Sequence, residues 1–296
     1  MHAQERISWR IRATPVTPAM TTGTATTALV PYMTATIAVA VWMVIGATFR
    51  LDPNSYLLVG VPLVIAYQLF VRRKDLGALW VFRSTEQVLG KRSTVPLGLL
   101  LAVAPVAAVA DAWKAGSTAA VLWCLCSLAG APVAAWTISR TSPRDARPAL
   151  PNVLSVVFVG AAVLSAATAT SGGRLFPGLN DLPQMGRDAL LFFTVGFILE
   201  EVAFRGAIDQ HLSNGALRGA RCWLSAIYAS LLWGLWHLPL VFRDAATSSM
   251  ATAVQVLAFH LGIGVLLSLI ARQSGSLALS AGAHALLDAW RDALVA

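Results

Sequence analysis

Two adjacent carboxylates, Glu200 and Glu201, follow the apolar run that begins at Ala189, and Arg205 comes one helical turn later. A charged side chain at bilayer depth costs about 2.5–3.5 kcal/mol on insertion scales, so a cluster of this kind needs partners and a purpose. Successive helical residues are rotated by about 100°, so the two acids point in different directions. Glu201 is spaced to pair with Arg205 at i,i+4, and Glu200 is left for another partner. One acid is then structural and the other free to react; the competing reading makes both of them charge-balanced packing groups.

The imidazoles come next. His237 sits between Trp236 and Leu238 in a later apolar run, and Pro239 withholds its N–H from the carbonyl of Leu235. A kink near His237 is therefore expected, with room for water or substrate. His284 and Asp288 stand at i,i+4 on one helical face, where the carboxylate can orient the imidazole or share a metal with it. His260, beside Phe259, is left out of the expected site; Gly262 and Gly264 read as close-packing residues. His211 and His2 are expected to be solvated.

The sum is a carboxylate pair, two histidines and an aspartate on three separate helices, an inventory suited to hydrolysis. Two imidazoles and a carboxylate, His237, His284 and Glu200, can hold a divalent metal such as zinc while the remaining acid takes a proton from water. Without a metal, Glu200 polarised by His237 can activate the water directly, with His284 or Asp288 stabilising the oxyanion.

The elements that must position these groups follow from composition. Of 296 residues, 57% are hydrophobic and 12% charged, about half the charge of a soluble domain, and the mean hydropathy is +0.68. Apolar blocks long enough to cross a bilayer, without strand-like alternation, predict an all-α polytopic transmembrane helix bundle. Candidate spans fall at residues 28–49, 55–71, 95–112, 117–138, 152–169, 189–210, 223–242, 251–271 and 276–294. That makes nine crossings, or eight if the first or last block does not cross.

Sorting the bases tests the orientation. With the N-terminus inside, Arg6, Arg10, Arg12, Arg72, Arg73, Lys74, Arg83, Lys91, Arg92, Arg140, Arg144, Arg147, Arg218, Arg221 and Arg272 fall on the inner side. Only Arg50, Lys114, Arg174, Arg187, Arg243 and Arg291 fall outside. The bias predicts a cytoplasmic N-terminus, and the plasma membrane is the expected location. The net charge of +8 and pI near 10.1 are thus explained by topology, and no nucleic-acid partner is expected.

The loop 72–93 places Leu76, Leu79, Trp80 and Leu89 among six bases and is expected to form an amphipathic surface helix. Three cysteines, Cys124, Cys126 and Cys222, support neither a disulfide framework nor a Cys-rich zinc site. A Gly/Pro-rich stretch, residues 171–180, divides the chain. Residues 1–26 read as a polar tail, 27–170 as transmembrane helices without a recognised motif, and 185–296 as the part that carries the chemistry. With no internal repeat and no Gly-rich phosphate loop, transporter and nucleotide-binding readings lose ground.

This third part resembles the CPBP family of intramembrane proteases, which includes the type II CAAX prenyl endopeptidases. The family's EExxxR appears as Glu200-Glu201-Val202-Ala203-Phe204-Arg205, followed by Gly206; FxxxH appears as Trp233-Gly234-Leu235-Trp236-His237, and HxxxN/D as His284-Ala285-Leu286-Leu287-Asp288. The resemblance covers residues 185–296. It implies a helical membrane protease in which Glu200 and His237 activate water, Glu201 and Arg205 support the site, and His284 with Asp288 binds metal or stabilises the oxyanion. Trp233 stands where the family has Phe, and Asp288 adds a charge where many members have Asn.

The expectation is a CPBP-type intramembrane metalloendopeptidase, a CAAX protease-like hydrolase that cleaves a membrane-associated protein or peptide from within the lipid bilayer. Nothing in the sequence calls for a prenyl group. The rival readings are a non-catalytic binding protein of the bacteriocin-immunity type and, behind it, an ion-coupled transporter.

Overall fold

The structure, a computed structural model, describes residues 25–83, 88–170, 172–243 and 249–295, with side chains from residue 29 onward except that of Lys91. Residues 1–24 of the expected polar tail lie outside the described residues. The chain divides into two units, Met1–Val30 and Pro31–Ala296. Of the first, the described part is the beginning of a helix; the remaining described elements belong to the second.

The helices are α1 (Ala25–Thr48), α2 (Pro53–Val71), α3 (Lys91–Lys114), α4 (Thr118–Ser139), α5 (Pro143–Thr170), α6 (Leu182–Gly196), α7 (Gly219–Val241), α8 (Met250–Ser274) and α9 (Ala278–Val295). The described residues are 83% helical, and among them extended pairing is limited to the isolated bridge Val81–Ser276. Among the described residues seven helices, α1 to α5, α7 and α8, are long and apolar enough to cross a membrane. The expected spans at 189–210 and 276–294 are not among them. The first is broken at Phe197–Leu199 and carries four charges in its second half; α9 carries Asp288, Arg291 and Asp292. Both trade hydropathy for chemistry.

Local sequence sets the helix ends. Asp52 accepts hydrogen bonds from the backbone of Asn54 and Ser55, with Pro53 opening α2, an N-cap contribution of about 1 kcal/mol. Burial pulls the Asp52 carboxyl up, but the hydrogen bonds from Ser55 and Asn54 outweigh it and hold it below the ordinary carboxylate range. Ser249 caps α8 through Thr252, and Gly275, at φ +72°, ends it in the left-handed conformation that glycine adopts freely.

The described basic loops gather at one end. Arg72 donates to the carbonyl of Gly206 at 2.7 Å and Arg83 to that of Arg272 at 2.6 Å. Thr141 and Ser276 share a hydrogen bond of 2.7 Å there. At the opposite end Arg174 donates to the carbonyl of Ala293, and Arg187 lies 3.5 Å from Asp111. Segment 182–213 and α9 each run between these two ends.

The 72–93 loop departs from the expected surface helix. Its described part forms a single 3₁₀ turn, Leu76–Leu79, after which Leu79 is buried and Trp80 donates its indole N–H to the carbonyl of Phe197 at 2.6 Å. Leu79 and Trp80 are inward anchors that strap the loop beneath the break in the Glu200 helix, while Leu76 stays exposed. Gly206 makes that approach possible, because a Cβ there would meet the backbone carbonyl of Leu79. We expect Gly206→Val to lower the stability of the detergent-solubilised protein by about 1–3 kcal/mol, the cost of overpacking a contact whose partner is backbone. Thermal unfolding measures it.

Candidate active site

The break at Phe197–Leu199 builds the site's first wall. Close packing of α4 on α6, where Gly130 lies against the carbonyl of Thr194 and Ser127 hydrogen-bonds Thr194 at 2.6 Å, fixes the end of α6. The helix resumes at Glu200 and widens to π spacing over Val202–Asp209. Bulges of this type recur at functional sites. The restart puts Glu200 and Glu201 in a first helical turn, the end of a helix that favours negative charge.

The second wall is α7, which is interrupted at His237, where the missing Pro239 donor predicts it. The carbonyl of Trp236 accepts from the Tyr56 hydroxyl at 2.8 Å, and the Trp42 indole donates to the carbonyl of Tyr56 at 2.7 Å. Side chains of α1 and α2 thereby brace the kink. His237 Nδ1 lies 2.9 Å from the carbonyl of Trp233. A carbonyl only accepts, so Nδ1 carries the hydrogen and the neutral ring keeps a lone pair on Nε2. That lone pair faces Glu200 Oε2 across 3.9 Å.

Glu200 has a second partner that the spacing of the motifs did not disclose. Trp233 donates its indole N–H to Glu200 Oε2 at 2.9 Å, a bond that the Phe of the family pattern cannot make. Its ring also carries the Arg205 guanidinium at 4.1 Å, in cation–π range. We expect Trp233→Phe to lower the stability of the detergent-solubilised protein by about 1.5–3 kcal/mol, the contribution of a hydrogen bond to a charged group; thermal unfolding checks it.

Glu201 and Arg205 form a separate, buried layer. Glu201 Oε1 lies 3.7 Å from Arg205 and 3.0 Å from His284 Nδ1. On the other edge of the ring, His284 Nε2 lies 3.5 Å from Asp288 Oδ2. Asp288 in turn holds Arg291 at 2.9 Å, so this aspartate ties the site to the rim of the bundle rather than forming an isolated surface pair.

The structure thus brings Glu200, Glu201, Arg205, His237, His284 and Asp288 together from three chain segments. All but Arg205 line one cavity of about 1310 Å³. His260, which the sequence reading left out, lines it too. Its ring centroid is 3.8 Å from that of His237 and 4.4 Å from that of Trp233, and its Nδ1 is fixed by the carbonyl of Val256 at 2.7 Å. A lone histidine beside Phe259 gave no motif; its placement depends on how α8 packs on α7. His211, expected in solvent, is half-buried with Nδ1 2.7 Å from the Tyr67 hydroxyl.

Among the described residues, no group of three His, Cys, Asp or Glu side chains stands close enough together to hold a metal ion. His237, His284 and Glu200 line one cavity.

The described chain is a helical membrane protein with acids and imidazoles around one cavity. Residues 186–290 match the family model described as type II CAAX prenyl endopeptidase Rce1-like. This segment is therefore CAAX-protease-like, as its three motifs imply, and it holds every residue of the acid–imidazole centre. No curated protein and no solved structure matches the chain.

Proposed function

We propose that this protein is an intramembrane endopeptidase that hydrolyses a peptide bond in a membrane-associated protein or peptide. The observation that carries the reading is the pair of acceptors, Glu200 Oε2 and His237 Nε2, facing each other across 3.9 Å inside a largely apolar cavity. The gap is too long for a direct hydrogen bond and suits one water that donates a proton to each. Such a water keeps a lone pair for the substrate carbonyl.

In the proposed reaction Glu200 takes the proton as the water adds to the carbonyl, and returns it to the leaving amine as the C–N bond breaks. Trp233 orients the carboxylate. His284 gives its Nδ1–H to Glu201 at 3.0 Å, and its Nε2–H, 3.5 Å from Asp288 and not hydrogen-bonded to it, is the donor left for the oxyanion. Glu201 and Arg205 hold His284 in place, and Asp288 fixes its far edge. Zinc content of purified parental and His237→Ala protein tests the metal expectation separately from activity.

The reading includes nine crossings, with segment 182–213 and α9 added to the seven apolar helices, an inner N-terminus and residence in the plasma membrane. The bias of bases to one end supports it.

The test compares membrane peptides from cells carrying the parental protein or the Glu200→Gln form, with folding checked by gel filtration in detergent. We expect at least one fragment that depends on Glu200. Identical fragment patterns would leave a non-catalytic binding protein in its place.

A further inference from the structure

The cavity has a direction. It extends from Glu200 to the ends of the helices at which Asn54, Asp111, Thr170, Asp188, Gln255 and Arg291 stand. These are residues of α2, α3, α5, α6, α8 and α9 at the end remote from the basic loops. None of Arg72, Leu79, Arg140, Arg147, Arg272 and Ser276, which mark the basic end, lines it. Below the site that end is closed by buried packing: Leu79 against Gly206, and Arg272 bonded to Asp209 and Ser225.

The cavity also has a sign. Six carboxylates line it, Asp111, Asp188, Glu200, Glu201, Asp288 and Asp292, against the two guanidinium groups of Arg187 and Arg291. At the rim each arginine is held between two aspartates: Arg187 lies 3.5 Å from Asp111 and 3.6 Å from Asp188, and Arg291 lies 2.9 Å from Asp288 and 2.8 Å from Asp292. In each cluster the aspartates outnumber the arginine two to one, with His284 3.5 Å from Asp288 on the inner side of the second, in a protein whose net charge is +8. Low-dielectric walls focus such a field toward the entering ligand.

We infer that the site is loaded from the base-poor, extracytoplasmic end, by a cationic peptide segment whose basic side chains engage the two rim clusters while its backbone reaches Glu200. This inference rests on the endopeptidase reading for what happens to the segment, and on the cavity alone for where it enters and which charge it carries. A substrate of this kind is the outward-facing flank of a membrane-associated protein or peptide. A cytoplasmic chain terminus would meet the closed end.

The experiment uses the full chain with Cys124, Cys126 and Cys222 changed to Ser and Ala120→Cys introduced, because Ala120 lines the cavity at the base-poor end. Right-side-out and inverted membrane vesicles are treated with a membrane-impermeant maleimide. Labelling at least tenfold faster in right-side-out vesicles is expected; equal labelling, or faster labelling of inverted vesicles, overturns the direction of entry. Two lipid-anchored peptides, identical except for Lys or Glu flanks, are then compared as protectants. The Lys form is expected to slow labelling at least fivefold more than the Glu form, and the difference to vanish in Asp188→Asn/Asp292→Asn protein. Equal protection, or stronger protection by the Glu form, overturns the charge preference.

Both readouts are repeated with Glu200→Gln, where they should persist. Loss of cleavage dependence on Glu200 would sink the enzyme reading and leave entry and charge standing, so the two failures are distinguishable.

Discussion

Glu200→Gln protein should fold as the parent does and cleave its substrate at least a thousandfold more slowly. The amide keeps the size of the carboxylate and can still accept the Trp233 N–H at its oxygen, so little packing is lost. What disappears is the basic oxygen facing His237 Nε2. General base catalysis contributes about 10²–10⁴-fold, and groups that act as a unit lose most of their joint effect when one is removed. The measurement is kcat/KM on a reporter in proteoliposomes, beside a thermal unfolding curve that shows an intact fold. A residual rate within tenfold of the parent would remove Glu200 from the reaction.

The second large effect concerns stability, away from the cavity. Arg272 on α8 forks onto both carboxylate oxygens of Asp209 and also donates to the carbonyl of Cys222 and the hydroxyl of Ser225 on α7. Both members of the ion pair are buried. Truncating one partner strands a buried charge, which costs about 3–5 kcal/mol, whereas replacing both by apolar groups is often neutral. Arg272→Met should therefore unfold the detergent-solubilised protein at markedly lower denaturant concentration. Arg272→Met/Asp209→Leu should recover most of the loss. If the single variant were as stable as the parent, the pair would not be what clamps the π segment to α7 and α8.

This clamp is a fair measure of what was legible. Asp209 and Arg272 are 63 residues apart, and nothing local couples them. Glu201 and Arg205, by contrast, are paired by helical geometry alone, and the same periodicity put His284 and Asp288 on one face. Pro239 announced the interruption at His237 because a missing donor acts on its own helix. The break at Phe197–Leu199 had no such sign. It follows from α4 packing on α6 and from Trp80 taking up the carbonyl of Phe197, which are contacts between distant parts of the chain. The surface helix expected at 72–93 failed for a related reason: apolar residues among bases look the same whether they face lipid or are drawn into a neighbouring bundle end.

Composition and short-range spacing determined that the chain is helical and membrane-embedded, and named the six polar residues gathered at its centre, because hydropathy and i,i+4 pairing are properties of a segment by itself. Only the tertiary structure decided that His260 joins them, that Trp233 donates to Glu200, and that the cavity opens away from the basic loops. Each of those depends on which helix faces lie against one another, and a helix's own sequence fixes which face is apolar without fixing which neighbour covers it.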